Sequence, residues 1–146
     1  MRELGSVLDF MRALWALDHA LQSASKRMEA ARGVTAPQRL VVRIVGRFPG
    51  ISAGEVAEIL HLHPSTLTGV LGRLESRGLL ARRPDPGDGR RALLDLTARG
   101  RGVDRLREGT VETAVRKGLR RLPPSAVRAA RDAARVRSDE LEKLAG

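Results

Sequence analysis

Ser65, Thr66 and Thr68, followed by Arg73 and Arg77, are the residues of this chain whose types and spacing suggest recognition chemistry. Hydroxyls both donate and accept on short stems, and guanidinium groups are planar forks that match a phosphate or the edge of a guanine. Between 63 and 77 the apolar residues Leu67, Val70, Leu71 and Leu74 recur at helical spacing, so the segment reads as a helix with that stripe turned inward. Its outer face then carries Ser65, Thr66, Thr68, Gly69, Gly72, Arg73 and Arg77. Short side chains on such a face can enter a major groove, and the hydroxyls lie at the N-terminal end, where the helix dipole also favours phosphate. Gly69 and Gly72 each cost ~1 kcal/mol relative to alanine in a helix interior. Two readings of them stand: neutral drift or close helix packing, or a backbone left bare to approach DNA.

A second basic group lies further on. Arg82, Arg83, Arg90 and Arg91 flank Pro84-Asp85-Pro86-Gly87-Asp88-Gly89, a cluster of turn residues between two short extended segments, 79–83 and 91–96. The pattern predicts a β-hairpin with a long tip. Either it is a solvated loop of mixed charge, or Asp88 bonds across the turn while Arg90 or Arg91 enters a minor groove, whose negative potential attracts guanidinium.

The elements that position these groups follow from caps and breakers. Residues 6–32 read as one long amphipathic helix through Val7, Leu8, Met11, Leu14, Trp15 and Leu21, ended by Gly33. Thr35-Ala-Pro-Gln38 is a capping box, opening a helix with Leu40, Val41, Ile44, Val45 and Phe48 inward and stopped by Phe48-Pro49-Gly50. Ser52-Ala-Gly-Glu55 is another, opening a short helix with Val56, Ala57, Ile59 and Leu60 inward. Pro64 suits the first turn of the next helix and Gly78 its end. After the hairpin a helix is expected from 98 to 122, broken by Pro123-Pro124, and a last one from 124 to 144. Three helices followed by a hairpin is the order of a winged helix-turn-helix, with 63–77 as the recognition helix. The expected fold is mainly α with a small β-hairpin wing: a DNA-binding domain at 35–97 and a helical dimerisation region at 1–34 and 98–146. The long helices carry apolar stripes that so small a domain cannot cover, which predicts a homodimer.

Composition narrows the function classes. The chain of 146 residues has a formal net charge of +10, and 24 of its 27 basic residues are arginine, which points to a polyanion. At 42% hydrophobic it can bury a core, and with only Trp15, Phe10 and Phe48 it lacks the aromatic platforms of single-strand binders. The absence of cysteine excludes disulfides, thiol nucleophiles and cysteine-based zinc sites. No signal peptide pattern or apolar run of ~18 residues is present, so a cytoplasmic, non-membrane protein is expected. No enzyme motif is found. Gly69-Val-Leu-Gly72 matches a single-strand-binding GXXG loop only superficially, since Val70 and Leu71 belong to the helix stripe. His61 and His63 lie two apart with Glu58 nearby and His19 remote, a poor metal-ligand spacing, so no metal is expected.

The runs Leu67-Thr68-Gly-Val-Leu-Gly-Arg73-Leu74-Glu75-Ser-Arg-Gly78-Leu79-Leu80, Asp85-Pro-Gly-Asp88-Gly-Arg90-Arg91 and Leu96-Thr97-Ala-Arg-Gly100 resemble the MarR family of bacterial transcriptional regulators. They match its Thr-x-x-x-x-x-Leu-Glu-x-x-Gly-Leu stretch, its Asp-x-Arg wing and the Leu-Thr-x-x-Gly opening of its fifth helix. The close resemblance covers 35–102. It implies a dimer joined through the first, fifth and sixth helices that binds a palindromic operator in double-stranded DNA, as a repressor released by a small molecule, and hence association with the bacterial nucleoid. By position it assigns DNA contact to Ser65, Thr66, Thr68, Arg73 and Arg90 and a wing-shaping role to Asp88. Gly69, Arg77, Arg83 and Arg91 complete the expected interface. Gly69 departs from the family, many of whose members have a basic residue there, so readout at that base pair is lost or moves to Arg73.

The resemblance also implies an effector, commonly an anionic aromatic, held where the dimerisation helices meet the winged lobe. Trp15, Asp18, His19 and Gln22 could face Arg39 and Arg43 there, an arginine-and-tryptophan pocket for a carboxylate or phenol; the alternative is plain core or dimer packing. No other cofactor is expected. The competing function is a sequence-independent architectural DNA binder. A membrane-surface role for the last helix is weaker, because Arg128, Arg131, Arg135 and Arg137 alternate with Asp132, Asp139, Glu140 and Glu142 over an apolar face that is mostly alanine.

Overall fold

Helix α1 (Gly5–Arg32) closes at Gly33, whose φ of +79° turns its N–H onto the Glu29 carbonyl at 2.8 Å. Both expected capping boxes form. Thr35 Oγ1 accepts the Gln38 amide at 3.3 Å while Gln38 Oε1 accepts the Thr35 amide at 3.1 Å, opening α2 (Ala36–Arg47). Strand β1 (Ile51–Ser52) then leads into α3 (Ala53–Leu60), where Ser52 and Glu55 make the same exchange. Helix α4 (Pro64–Ser76) starts on the His63 cap with Pro64 in its first turn. The computed structural model describes residues 2–145 and divides at 111/112 into two compact units.

Strands β2 (Leu80–Asp85) and β3 (Asp88–Leu96) form the hairpin, and the sheet order is β1-β3-β2, antiparallel throughout. Two features depart from the sequence reading. The two-residue β1, paired Ile51↔Leu94 and Ser52↔Leu93, has no signal of its own. The tip is also short: β2 runs through Pro84 to Asp85, leaving only Pro86-Gly87 as the turn. Proline is tolerated because β2 is an edge strand, and the register slips into a bulge at Pro84/Asp85.

The core of the first unit gathers Val34, Val41, Val42, Val45, Val56, Leu67, Leu71, Leu74 and Leu94. On α2 the buried residues are Gln38, Arg39, Val41, Val42 and Val45, of which 38, 41, 42 and 45 form an i, i+3, i+4, i+7 stripe. It is displaced from the expected face: Leu40 and Phe48 are each 49% exposed, as is Ile59 on α3. The polar Gln38 and Arg39 disguised the true arc.

The helix expected over 98–122 is broken. Helix α5 (Ala98–Arg105) ends, and α6 (Val111–Leu119) begins only after Gly109 at φ +72°. Arg39, only 2% exposed, donates to the carbonyls of Val103 and Leu106. Arg43 Nη1 donates to Asp104 Oδ1 at 2.7 Å and to the Asp104 carbonyl at 3.2 Å. Arg107 donates to the Asp104 and Leu106 carbonyls. A continuous helix would offer those carbonyls to amides four residues on; here guanidinium groups take them. Helix α7 (Pro124–Ala145) starts at the double proline as expected and lies in the second unit.

Gly100 on α5 explains part of the Leu-Thr-x-x-Gly motif. Thr97 Oγ1 accepts the Gly100 amide at 3.0 Å and donates to the Gly78 carbonyl at 2.6 Å, tying α5 to the start of the hairpin. A Cβ on Gly100 would lie 2.0 Å from the Leu79 carbonyl oxygen. Gly100→Ala is therefore expected to destabilise the protein by about 1–3 kcal/mol, seen as a lower urea midpoint. Gly102→Ala, with nothing within 4 Å of the added carbon, should be neutral or stabilising. Equal midpoints for the two variants would refute the contact.

Candidate nucleic-acid interface

Leu67, Val70, Leu71 and Leu74 are all buried, so α4 is held by its expected face and the opposite one is bare. Ser65, Thr66, Thr68, Gly69, Gly72, Arg73 and Arg77 are exposed. His63 Nδ1 accepts the Ser65 amide at 3.2 Å and lies 2.7 Å from its hydroxyl. Thr68 donates its hydroxyl proton to the Pro64 carbonyl at 2.8 Å, which leaves its oxygen as an acceptor beside its methyl group. The Thr66 hydroxyl and the Arg73 guanidinium have no partner among the described residues. Arg77 differs, since its Nη1 donates to Gln38 Oε1 at 3.3 Å. A Cβ on Gly69 or Gly72 would meet nothing within 4 Å, so close helix packing within the chain does not explain either glycine.

The arginines of the wing divide by partner. Arg82 is paired with Glu75, and Arg83 with Asp95 across the hairpin at 2.8 Å. Arg91 reaches the start of α3, with Nη2 at 3.0 Å from Ser52 Oγ and 3.1 Å from Glu55 Oε2. Arg90 alone of the four has a side chain without a partner among the described residues, and it is exposed beside the tip. Asp88 accepts the Arg90 amide at 3.0 Å, two residues along its own strand, rather than bonding across the turn as expected. Asp85 braces the tip instead by accepting the Gly87 amide at 2.9 Å. The Ser52 amide and then the Ser52 hydroxyl hold the Glu55 carboxyl below its ordinary pKa; burial opposes them, and the charge of Arg91 adds a lesser lowering.

The expected effector pocket is not assembled from the residues named for it. Arg39 is buried on backbone carbonyls and Arg43 is bonded to Asp104, so both serve the α2–α5 junction. On α1, Trp15 is 61% exposed, His19 is exposed, and Gln22 donates to Asp18 at 2.8 Å. A different surface cavity of about 550 Å³ is lined by Phe48, Pro49, Ile51 and Ile59 with Glu55 and Glu58. Its two carboxylates make it unsuited to an anionic aromatic. His61, at φ +50°, caps α3, and His63 caps α4. Among the described residues no three His, Asp or Glu side chains cluster as a metal site requires, and no helix is long and apolar enough to cross a membrane.

Comparison with known proteins places this geometry. Residues 32–91 match the sequence profile of the MarR family. The HTH-type transcriptional repressor Rv2887 of Mycobacterium tuberculosis is 34% identical over 90 residues, 62% of this chain and 65% of the repressor. The HTH-type transcriptional regulator TtmR of Methylorubrum extorquens is 36% identical over 91 residues, 62% of this chain and 47% of that one. The chain thus spans less than two thirds of the curated relatives' length. Among solved structures, the PcaV transcriptional regulator from Streptomyces coelicolor, in complex with its natural ligand, superposes with a TM-score of 0.72 at 28% identity, covering 95% of this chain and 98% of PcaV. MepR of S. aureus, solved as a DNA complex, has a TM-score of 0.75 at 16% identity over 90% of this chain and 97% of MepR, a likeness of fold. The sequence match over 32–91, the winged-helix fold and the agreement with PcaV over nearly the whole chain lead to one assignment: residues 32–91 form a winged helix-turn-helix module similar to those of the MarR family.

Proposed function

We propose that the protein is a sequence-specific transcriptional repressor that binds a palindromic operator in double-stranded DNA as a homodimer and is released by a small-molecule effector. The observation that carries the reading is the bare outer face of α4, where Thr66 and Arg73 have no side-chain partner among the described residues and two glycines lie open, with Arg90, likewise without one, on the wing. A recognition helix meets base edges with such a face, and a wing arginine suits the adjacent minor groove. Naming of the Mycobacterium relative as a repressor and the MepR–DNA complex support it.

Apolar side chains support the dimer. Val7, Leu8, Trp15, Leu17 and Leu21 are exposed on α1, and Val136, Leu141 and Leu144 on α7. A second copy covering them would set two recognition helices roughly 34 Å apart, one turn of DNA. Small-molecule control rests on the likeness to PcaV, and an effector that altered that spacing would cost contacts in both half-sites. An anionic aromatic remains the proposed class, recognised without Arg39.

Genomic DNA pull-down followed by anisotropy titration at physiological salt tests the reading. The captured palindrome should bind at least about 10³-fold more tightly than random DNA; a ratio near one identifies a sequence-independent architectural binder. Arg90→Ala should weaken operator binding by several-fold, and unchanged affinity would remove Arg90 from the interface. Gly69→Ala should stabilise the protein by up to ~1 kcal/mol and weaken operator binding. Stabilisation with unchanged affinity would show that the bare backbone does not approach DNA.

A further inference from the structure

Arg90 and Arg91 are neighbours of equal charge, yet the structure gives them different surroundings. Glu55 Oε2 accepts the Ser52 amide at 2.8 Å and the Ser52 hydroxyl at 2.7 Å, completing the cap of α3. The same oxygen lies 3.1 Å from Arg91 Nη2, which also donates to Ser52 Oγ. One carboxylate oxygen therefore joins a helix N-terminus to a strand of the wing.

The sheet shows why such a tether matters. Strand β1 supplies only two residues, so its ladder with β3 ends at Ser52↔Leu93. Beyond Leu93, towards the tip, β3 is paired only with β2, and a two-stranded arm is free to twist. Arg91 lies two residues past that last rung, in the stretch 89–91 that the shift from Pro84↔Ala92 to Asp85↔Asp88 leaves without partners in β2. Its bonds to Ser52 and Glu55 extend the anchorage of the arm to the residue next to Arg90.

We propose that Glu55 is a positioning residue for the wing: through Arg91 it fixes the angle at which the hairpin presents Arg90, and Arg91 is a tether rather than a phosphate contact. The proposal rests on the DNA-binding function proposed above. It also gives sequence-adjacent arginines separate roles, one aimed outward and one spent on orientation.

Glu55→Gln isolates the tether from the cap. Glutamine serves at the same capping position in this chain, where Gln38 Oε1 accepts the Thr35 amide, so the variant keeps α3 closed and loses only the ion pair. Glu58→Gln removes an equal charge from the same helix at a carboxylate that is not ion-paired with Arg91 and supplies the baseline for charge alone. Without DNA, Glu55→Gln and Arg91→Ala should each speed hydrogen exchange of amides 87–91 by about three-fold over Glu58→Gln, the reach of a half-exposed pair. Unchanged exchange would overturn the tether whether or not the protein binds DNA. On the captured operator, Glu55→Gln should bind about two- to five-fold more weakly than Glu58→Gln. Its salt dependence should be unchanged, and adding Arg91→Ala should weaken it no further. Tighter binding with a steeper salt dependence would show that Arg91, once released, neutralises a phosphate, and would overturn the proposal. If the wild-type chain prefers no DNA sequence, the functional reading fails while the exchange result still decides the tether.

Discussion

A buried guanidinium organises the first unit of this protein. Arg39 on α2 faces inward and bonds the carbonyls of Val103 and Leu106, where α5 ends. Removing one partner of such a buried charge-assisted contact leaves polar groups unsatisfied away from water, so the α2–α5 junction tolerates little change. Other parts hang from that junction. α5 carries Gly100 against Leu79 and Thr97 against Gly78, which sets the base of the hairpin. The neighbouring Gln38 holds both the cap of α2 and Arg77 at the end of α4. Helix α4 and the hairpin are thus both oriented from Gln38 and Arg39, adjacent residues of α2.

What was legible in the sequence divides along local and tertiary lines. The caps at Thr35 and Ser52, the first-turn proline of α4 and its inward stripe are local, and all formed as expected. The break after Arg105 is not local, because the groups that end the helix come from α2, more than sixty residues away. Arg39 and Arg43 were misplaced for the same reason. An arginine in a helix is ordinarily exposed, and only the approach of α5 buries Arg39. Strand β1 exists only because β3 lies beside it, and two residues carry no periodicity to detect.

The candidate interface shows the same division at the level of side chains. Periodicity alone identified the outer face of α4. It could not rank the arginines of the wing, because pairing depends on register: Arg83 meets Asp95 across the hairpin and Arg91 meets Glu55 on another element. Counting charge treats all four as equivalent. Their partners leave Arg90 as the one able to form a new contact without first breaking an old one. Net charge of +10 therefore measures long-range attraction to a polyanion, while discrimination depends on the few groups left unpaired.

The glycines of α4 carry the argument one step further. Two interior glycines in a thirteen-residue helix together forgo roughly 2 kcal/mol relative to alanine. A packed neighbour would be the ordinary compensation, but open space surrounds both positions. Among the described residues nothing packs against either position. A cost without an internal return, on the face that also holds Thr66 and Arg73 unpaired, is what a surface shaped by an external partner shows. Bare backbone at Gly69 would allow such a partner to come nearer than any side chain would permit. Recognition at that position would then depend on closeness and shape, with charge supplied from Arg73 one turn along the helix.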